Sequence, residues 1–311
     1  MPKIDVSDLS VQYRTSHGVV HALENVQFRL EENESIGIAG ESACGKSTLG
    51  LSIIRMVQGD NRISGKIMFK GESLLDMPDS KFDNDIRWKE ISMVFQGAMN
   101  SLDPVFTIGY QFDEILKQHE FKGIPDKVIH NAMRSVSLDL SILKKYPHEL
   151  SGGMKQRVII AMALLLKPKF VIADEPTTAL DVLIQAQIIN LLKNLKKKGM
   201  SIMLISHDLS ILSEIAEKIG IMYGGRMVEF GTSSEIYGNP KHPYTKGLLD
   251  SIPSLHKEKD LSFIPGTPPD LVSPKPGCRF FDRCPEAMEK CKNEPPKIKT
   301  DSGYVLCWLY E

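Results

Sequence analysis

One short segment carries the residue types that bind phosphate groups in many proteins. Residues 40–48 fit the pattern G-x-x-x-x-G-K-[ST]. The glycines allow a tight turn whose backbone N–H groups face a β-phosphate, Lys46 reaches the β- and γ-phosphate oxygens, and Ser47 binds Mg²⁺. We therefore expect a nucleotide to contact the whole loop: Gly40, Glu41, Ser42, Ala43, Cys44, Gly45, Lys46, Ser47 and Thr48.

A pair of acidic residues, Asp174 and Glu175, follows directly after the apolar run of residues 170–173. A carboxylate at the tip of a buried strand can hold Mg²⁺, and the next carboxylate can polarise an attacking water. Alone the pair is a weak signal, because an acidic turn into Pro176 would look the same. Together with a phosphate-binding loop, it indicates that the bound nucleotide is hydrolysed.

Apolar runs that alternate with helical patterns over the first 235 residues predict an α/β fold with a mostly parallel sheet. Buried strands are expected at residues 35–39, 170–173 and 200–205, and the first of them leads into the phosphate loop. Residues 181–198 are predicted to form an amphipathic helix with an aspartate as its N-cap. Residues 97–155 lack strand signals and favour an inserted helical subdomain.

The overall composition is that of an ordinary globular protein. The 311 residues allow about two domains. The 38 Lys and Arg balance 39 Asp and Glu, and a net charge of −1 argues against a protein held on nucleic acid by bulk charge. The longest apolar run, residues 158–166, is far shorter than a membrane-spanning helix, and the first ten residues show no signal-peptide pattern. These observations predict a cytosolic protein.

Prolines become frequent after Gly238, which predicts a linker and a small loop-rich module without regular helix or sheet. Four of the five cysteines lie in this module with the spacing C-x5-C-x6-C-x15-C: Cys278, Cys284, Cys291 and Cys307. Four thiolates suit zinc or an iron–sulfur cluster, but this spacing fits neither the usual zinc pairs nor the ferredoxin run. A Pro-rich module with few apolar residues favours a metal over free thiols or a disulfide.

The segment Leu150-Ser151-Gly152-Gly153 stands between the two nucleotide motifs, and with it residues 4–235 resemble the ATP-binding-cassette (ABC) family. The resemblance implies a P-loop NTPase fold with a RecA-like core, an antiparallel β part and an inserted helical subdomain, binding ATP and Mg²⁺. By the same resemblance, Tyr13 matches an adenine-stacking aromatic, Gln96 a glutamine that senses the γ-phosphate, and His207 a switch histidine. The signature loop is matched by Ser151, Gly152 and Gly153, and a dimer-interface loop by Ala179, Leu180 and Asp181.

The resemblance also implies a mechanism in which two cassettes bind ATP between them, head to tail. The signature loop of one subunit completes the phosphate loop of the other, and hydrolysis releases the dimer. Glu175 would position or deprotonate the attacking water, and His207 would hold the γ-phosphate. The implied catalytic residues are Lys46, Gln96, Glu175 and His207. The implied Mg²⁺ ligands are Ser47, Gln96 and Asp174.

The C-terminal residues narrow the resemblance to one branch. The element His242-Pro243-Tyr244-Thr245 and the later GCRFFDRC segment are similar to the extension of oligopeptide and dipeptide importer ATPases, some relatives of which import nickel or oligosaccharides. Members with four such cysteines bind a [4Fe–4S] cluster, which the resemblance assigns to Cys278, Cys284, Cys291 and Cys307, with zinc as the alternative. The implied partners are a second ABC ATPase subunit, two transmembrane permeases and, indirectly, an extracytoplasmic substrate-binding protein. The chain would be peripheral, on the cytosolic face of the membrane.

Three segments are expected within the chain: a RecA-like ATP-binding core of residues 1–96 and 156–235, a helical signature subdomain of residues 97–155, and a C-terminal extension of residues 236–311. The stretch from Gln96 to Phe106 is expected to meet the permeases, because it places apolar side chains at a surface position. The side chains expected there are Asn100, Leu102, Pro104, Val105 and Phe106. Cys44, near Lys46 and a helix N-terminus, is expected to have a lowered thiol pKa and to react with alkylating reagents.

Other interpretations remain open from the sequence. A soluble ABC ATPase acting on DNA would carry a long coiled-coil insertion, and one acting on ribosomes would carry two cassettes, whereas this chain has one cassette and a short insertion. A small-molecule phosphotransferase would not need the LSGG segment, Gln96 or His207. A metal-binding regulator with a vestigial cassette is opposed by the intact Glu175.

Overall fold

The structure is a computed structural model that describes residues 4–57, 60–97, 101–178, 180–252 and 263–311. The chain divides into two compact units, Met1–Asp76 with Leu204–Glu311 and Met77–Met203. In the described parts of the chain, no helix is both long and apolar enough to cross a membrane.

The strands are β1 (Ile4–Thr15), β2 (Gly18–Leu30), β3 (Ile36–Ala39), β4 (Arg62–Phe69), β5 (Glu72–Ser73), β6 (Ile91–Val94), β7 (Phe170–Asp174), β8 (Ser201–Ile205), β9 (Lys218–Tyr223), β10 (Arg226–Thr232), β11 (Lys297–Lys299) and β12 (Tyr304–Leu306). The helices are α1 (Lys46–Ile53), α2 (Asp79–Lys81), α3 (Ile108–Gln118), α4 (Pro125–Ser135), α5 (Gly152–Ala163), α6 (Val182–Lys197), α7 (Leu209–Ile215), α8 (Ser233–Gly238) and α9 (Pro243–Asp250).

In the first unit, an antiparallel sheet has the strand order β2-β1-β4-β5. Every second side chain over much of β1 is buried, as expected of a strand with one face on a core. The pairing of Ile4 with Leu30 on one side and with Phe69 on the other joins apolar residues across three strands. This sheet is the antiparallel β part that the resemblance to the ABC family implied.

The other strands of the first unit follow the order β11-β12-β10-β9-β3. β3 pairs in parallel with β9 and is buried along its whole length, which fits its uninterrupted apolar sequence. β10 pairs antiparallel with β9 on one side and with β12 on the other. The sheet that carries the phosphate loop therefore ends in two strands from the last fifteen residues.

The prediction that the proline-rich extension contains no regular structure is wrong. Pro243 occupies the first helical position of α9, where a proline needs no N–H donor, so the residue begins the helix instead of breaking it. β11 and β12 extend the sheet beyond β10 because Val305 pairs with Glu229 and Tyr304 with Phe230. Outside these elements, the described part of the extension consists of turns and short 3₁₀ segments, as expected of a loop-rich module.

In the second unit, β6 and β7 pair in parallel, and every residue of both strands is buried. β8 lies next to β7, and the chain returns to the first unit within β8. Helices α3, α4 and α5 pack against one another between β6 and β7 in the chain order, as the missing strand signals of that stretch predicted. α6 begins after its N-cap Asp181 and ends at Lys197, close to the predicted limits.

Candidate nucleotide-binding site

The phosphate loop leaves the buried end of β3 and turns directly into α1. Gly40 has φ 148° and Gly45, the N-cap of α1, has φ 101°. A Cβ atom on Gly40 would lie 2.1 Å from the carbonyl oxygen of Met222, and one on Gly45 would lie 2.4 Å from that of Ala22. Both positions therefore need glycine, for the backbone conformation and for the space.

Lys46 is nearly buried, with 6% of its surface exposed, and its ammonium group closes the loop from inside. Its Nζ donates hydrogen bonds to the carbonyl oxygens of Gly40 at 2.7 Å and Glu41 at 2.8 Å. A phosphate oxygen bound by Lys46 would take the place of a carbonyl as the acceptor. The charge is thus already positioned in the loop before a nucleotide contacts it.

The expectation that Cys44 has a lowered thiol pKa is wrong. Its side chain is 4% exposed, and burial raises the pKa of the thiol, outweighing the lowering effect of the Lys46 charge 3.8 Å from the sulfur. The local sequence suggested a helix N-terminus and a neighbouring lysine, but it did not reveal that the side chain points inward. Cys44 is a small packing residue of the loop.

Two further predicted residues lie in the first unit. The hydroxyl of Tyr13, on β1, donates to Thr48 Oγ1 at 3.4 Å, so the structure brings this aromatic ring to the first turn of α1. His207 is exposed and follows Ser206, whose N–H donates to the carbonyl of Ile38 on β3 at 3.1 Å. It therefore lies close to the strand end from which the phosphate loop emerges.

Sequence reasoning missed that the C-terminal extension contacts this loop. The N–H of Glu41 donates to the hydroxyl of Tyr244 at 2.9 Å. The two carboxylate oxygens of Glu41 accept from the guanidinium of Arg283 at 2.7 and 2.9 Å. The signal was present in the His242-Pro243-Tyr244-Thr245 element and in the arginine before Cys284, but nothing local links either of them to residue 41.

A second group of buried charges ties the extension to the body of the first unit. The carboxylate of Glu24 accepts from Arg226 at 2.7 Å and also from Arg279, and Arg226 bonds Glu294 at 2.5 Å. Burial by itself would raise the pKa of Glu24, but the hydrogen bond from Arg226 and the charges of both arginines lower it overall. This network lies outside the phosphate loop.

The second unit holds the predicted hydrolytic residues. Asp174, at the end of β7, is 2% exposed, and Glu175 follows it with φ 46°, an unfavourable backbone angle for a glutamate. The Glu175 carboxylate accepts from Gln96 Nε2 at 3.2 Å and from Thr178 Oγ1 at 2.8 Å. The structure thus brings Gln96 and Glu175 together, and Thr178 is a partner that the sequence did not suggest.

The predicted signature and interface loops both cap helices of the second unit. Ser151 is exposed at the N-terminus of α5, and its Oγ accepts from Met154 N–H at 3.4 Å. Gly152 is exposed and Gly153 is buried. Asp181 caps α6 by accepting from Ile184 N–H at 2.9 Å, while Ala179 lies outside the described residues.

Part of the expected permease surface is exposed. Val105 is 71% exposed, and the rings of Phe106 and Tyr110 stack at 4.4 Å on the surface of the second unit. Leu102 is buried, which corrects its assignment to that surface, because its side chain belongs to the core of the unit. Asn100 lies outside the described residues.

The four C-terminal cysteines converge although they are far apart in the sequence. Cys278, Cys284, Cys291 and Cys307 line one small cavity of about 10 Å³ together with His242, and all four are free thiols. Burial raises the pKa values of Cys278 and Cys284 to about 11, with the neighbouring sulfurs adding to the effect. Within the described ranges, no three His, Cys, Asp or Glu side chains are arranged to hold a metal ion.

Comparison with known proteins agrees with this geometry. Residues 23–178 match the profile of the ABC transporter family, and residues 228–291 match that of the oligopeptide/dipeptide transporter C-terminal region. The fold is similar to that of the ATP-binding cassette MJ0796, solved as a dimer in a post-hydrolysis state bound to ADP and Pi. The TM-score is 0.65 at 26% identity, over 74% of this chain and 98% of MJ0796.

Similar proteins extend over nearly the whole chain. The dipeptide transport ATP-binding protein DppD of Bacillus subtilis (strain 168) is 43% identical over 99% of this chain and 95% of its own length. The oligopeptide transport ATP-binding protein OppD of the same organism is 42% identical over 98% of this chain and 88% of its own length. With the phosphate loop, the acidic pair and the matching fold, these similarities show that the chain belongs to the ABC transporter family of ATP-hydrolysing cassettes, in the branch that carries the oligopeptide/dipeptide transporter C-terminal region.

Proposed function

We propose that this chain is the ATP-hydrolysing subunit of an importer for dipeptides or oligopeptides. The observation that carries the proposal is the match of residues 228–291 to the oligopeptide/dipeptide transporter C-terminal region. DppD and OppD, named for dipeptide and oligopeptide transport, share this chain's length almost completely. The peptide itself contacts other subunits, so this chain supplies the energy and not the specificity.

The roles proposed for the nucleotide residues follow from their chemistry. Lys46 and the N–H groups of the loop neutralise the phosphates, and Glu175 orients and deprotonates the attacking water while Gln96 and Thr178 hold its carboxylate. His207 contacts the γ-phosphate, and the ring of Tyr13 stacks on adenine. Ser47, Gln96 and Asp174 would hold Mg²⁺, which when bound supplies positive charge to the phosphate oxygens.

The working form is proposed to be a head-to-tail dimer with a second ABC ATPase subunit. Ser151 and the exposed N-terminus of α5 offer donors for the γ-phosphate on the partner's loop. Val182 and Leu183, directly after Asp181, are 78% and 76% exposed, which suits residues covered by a partner. MJ0796 forms a dimer of this family in the presence of ADP and Pi.

The membrane location is proposed to come from two permease subunits that dock on the second unit. Val105, Phe106 and Tyr110 form the exposed apolar surface available for that contact. The chain would then be peripheral, on the cytosolic face. A substrate-binding protein outside the membrane would deliver the peptide to the permeases.

The test is reconstitution of the chain in liposomes with two permease subunits and a substrate-binding protein of a peptide importer. Peptide on the binding-protein side should accelerate ATP hydrolysis, whereas Phe106→Asp should uncouple the permeases and leave basal hydrolysis intact. Stimulation by nickel or by an oligosaccharide, with none by peptides, would contradict the substrate. Hydrolysis that responds to DNA or ribosomes would contradict the transporter assignment.

The four converging thiols are proposed to hold a [4Fe–4S] cluster. Four thiols from separate segments around one cavity are the donor set that such a cluster needs. Because the pKa values of Cys278 and Cys284 are about 11, binding must release protons. The cluster would stabilise the module, and when bound it could also accept or donate one electron.

Purification without air should give a brown protein with equal iron and sulfide content. Cys284→Ser should lose the colour, while Cys44→Ser should keep it, because Cys44 lies in the phosphate loop. A colourless protein with one zinc ion per chain would overturn the cluster and leave the proposed ATPase function untouched.

A further inference from the structure

The extension holds the phosphate loop at one residue, Glu41, through every polar group that this residue has. Its N–H donates to Tyr244, its carboxylate accepts two hydrogen bonds from Arg283, and its carbonyl accepts from Lys46. Two of these three partners belong to the C-terminal extension. The third is the lysine that binds phosphate oxygens in loops of this pattern.

The loop needs such support because one of its residues has an unfavourable backbone angle. Ala43 has φ 61° without being a glycine, whereas Gly40 and Gly45 tolerate φ values of 148° and 101°. A backbone of this kind persists only where surrounding contacts over-determine it. On the side of residue 41, those contacts come from Tyr244 and Arg283.

Both supporting side chains are themselves fixed. Tyr244 is fully buried and packs on Tyr223 and Phe280, with ring centroids 4.5 and 5.3 Å away. The Arg283 side chain is 6% exposed and donates to the Pro265 carbonyl at 2.8 Å. Its paired hydrogen bonds to Glu41 match the planar geometry of arginine, which a lysine cannot reproduce.

The charge balance shows how Arg283 acts on the nucleotide. Its guanidinium is paired with the Glu41 carboxylate and with the Tyr223 hydroxyl, so its donors are already used within the protein. Arg283 is therefore not a phosphate ligand. Its influence on a bound nucleotide passes through Glu41 and Lys46.

We propose that Tyr244 and Arg283 are positioning residues for the phosphate loop, which hold Glu41, and with it the resting position of Lys46, so that phosphate binds without prior rearrangement of the backbone. The extension is then a structural part of the ATP site. This inference rests on ATP binding by the cassette and is independent of the transported solute and of any metal at the cysteines.

The test compares two arginines of the extension in the full-length chain, with ATP and ADP affinity, KM, kcat and thermal stability as readouts. Arg283→Met should weaken binding of both nucleotides about 10-fold and raise KM with little change in kcat, because uniform binding is lost. Arg279→Met is the matched control, since Arg279 is equally buried and also pairs with a glutamate, Glu24, outside the loop. It should lose stability and keep its nucleotide affinity.

A double-mutant cycle separates the contact from general damage. Glu41→Gln and Arg283→Met should each weaken ATP binding, and the double variant should be no weaker than Arg283→Met alone. Tyr244→Phe keeps the buried ring, removes one acceptor and should weaken binding about 3-fold. Equal losses for Arg279→Met and Arg283→Met, strictly additive effects in the cycle, or unchanged binding in both Arg283→Met and Tyr244→Phe would overturn the proposal.

Discussion

The phosphate loop and the acidic pair are built in different ways. The loop is held from several sides by buried partners, among them Lys46 within it and Tyr244 from the far end of the chain. The carboxylate of Glu175 has Gln96 and Thr178 as partners, and Thr178 is only three residues away. The predicted binding loop is held by buried partners from both ends of the chain, whereas the predicted hydrolytic carboxylate is less buried and is held by one distant partner, Gln96, and one local partner, Thr178.

The difference suggests separate tasks. A preformed loop binds phosphate without reorganisation, which favours affinity. A carboxylate on an unfavourable backbone stores strain, which a change of position on binding of a second cassette would release. Substitutions should therefore divide into those that remove binding and those that remove hydrolysis.

The largest effect is expected at Glu175. Glu175→Gln removes the proposed general base and keeps a side chain of the same shape, so kcat should fall about 10²- to 10⁴-fold with ATP affinity retained. Steady-state hydrolysis and binding of a fluorescent ATP analogue measure the two quantities. ATP should also trap the variant as a dimer on gel filtration.

The matched control is Glu149→Gln, a glutamate that caps a short helical turn of the same unit at 2.7 Å from the Tyr146 nitrogen. It should leave kcat unchanged. If Glu175→Gln lost ATP affinity as well as hydrolysis, the two regions would not have separate tasks.

The second-largest effect is expected at Lys46, on ATP binding instead of on hydrolysis. Lys46→Met removes the charge that the loop has already positioned, so ATP affinity should fall about 100-fold, a loss in the range of charge-assisted hydrogen bonds to phosphate. Isothermal titration with ATP checks this. Lys218→Met, at a lysine paired with Glu34 at 3.1 Å in the same unit, should bind ATP normally.

A pH effect on folding stability is expected at His242, the N-cap of the helix α9 that carries Tyr244. Burial lowers the pKa of His242, the N-cap of α9, to about 3. The unfolded chain takes up a proton near pH 6.5 and the folded chain does not, so stability present above pH 6.5 is lost as the pH falls towards 3, by about 2 kcal/mol between pH 7 and pH 5.

Denaturant unfolding at both pH values measures this loss. His242→Asn keeps a cap acceptor and cannot titrate, so the difference in stability between pH 7 and pH 5 should shrink by about that 2 kcal/mol. The exposed His17→Asn is the control. The neighbouring Glu229, whose pKa burial raises, acts in the opposite direction but equally in all three proteins.

The smallest effect is expected at Cys44. Because the thiol is buried and its pKa is raised, alkylation in the folded chain should be slow and should hardly change ATPase activity. Mass spectrometry of peptides after brief treatment at pH 8 measures the modification. Rapid labelling of Cys44 that ATP prevents would mean that the loop opens far more than its packing allows.

Local signals predicted much of the molecule. The sequence predicted the limits of four elements to within one or two residues: β3, β7, β8 and α6. Their signals, uninterrupted apolar runs and an N-cap aspartate, are local features of the sequence. The helical stretch followed from the missing strand signals of residues 97–155, and the antiparallel sheet from the resemblance to the family. The burial of Cys44 and its raised pKa could not be predicted from the sequence, because a thiol pKa depends on what covers the side chain and not only on its sequence neighbours.

Long-range contacts were beyond the sequence. Glu41 and Arg283 are 242 residues apart, and the sequence around neither residue predicts a contact with the other. The proline at the start of α9 was misjudged because the same residue ends a helix in its middle and begins one at its first position. The pairing of Gln96 with Glu175 could be predicted only as a family feature.

The distance in sequence between Glu41 and its two supports has a consequence for synthesis. The loop motif leaves the ribosome early, whereas Tyr244 and Arg283 emerge only after most of the chain has been translated. A nascent or truncated chain that ends before Tyr244 therefore displays the nucleotide motif with an unsupported backbone. Full affinity for ATP would then arise only after Tyr244 and Arg283 have been synthesised and have packed on the loop.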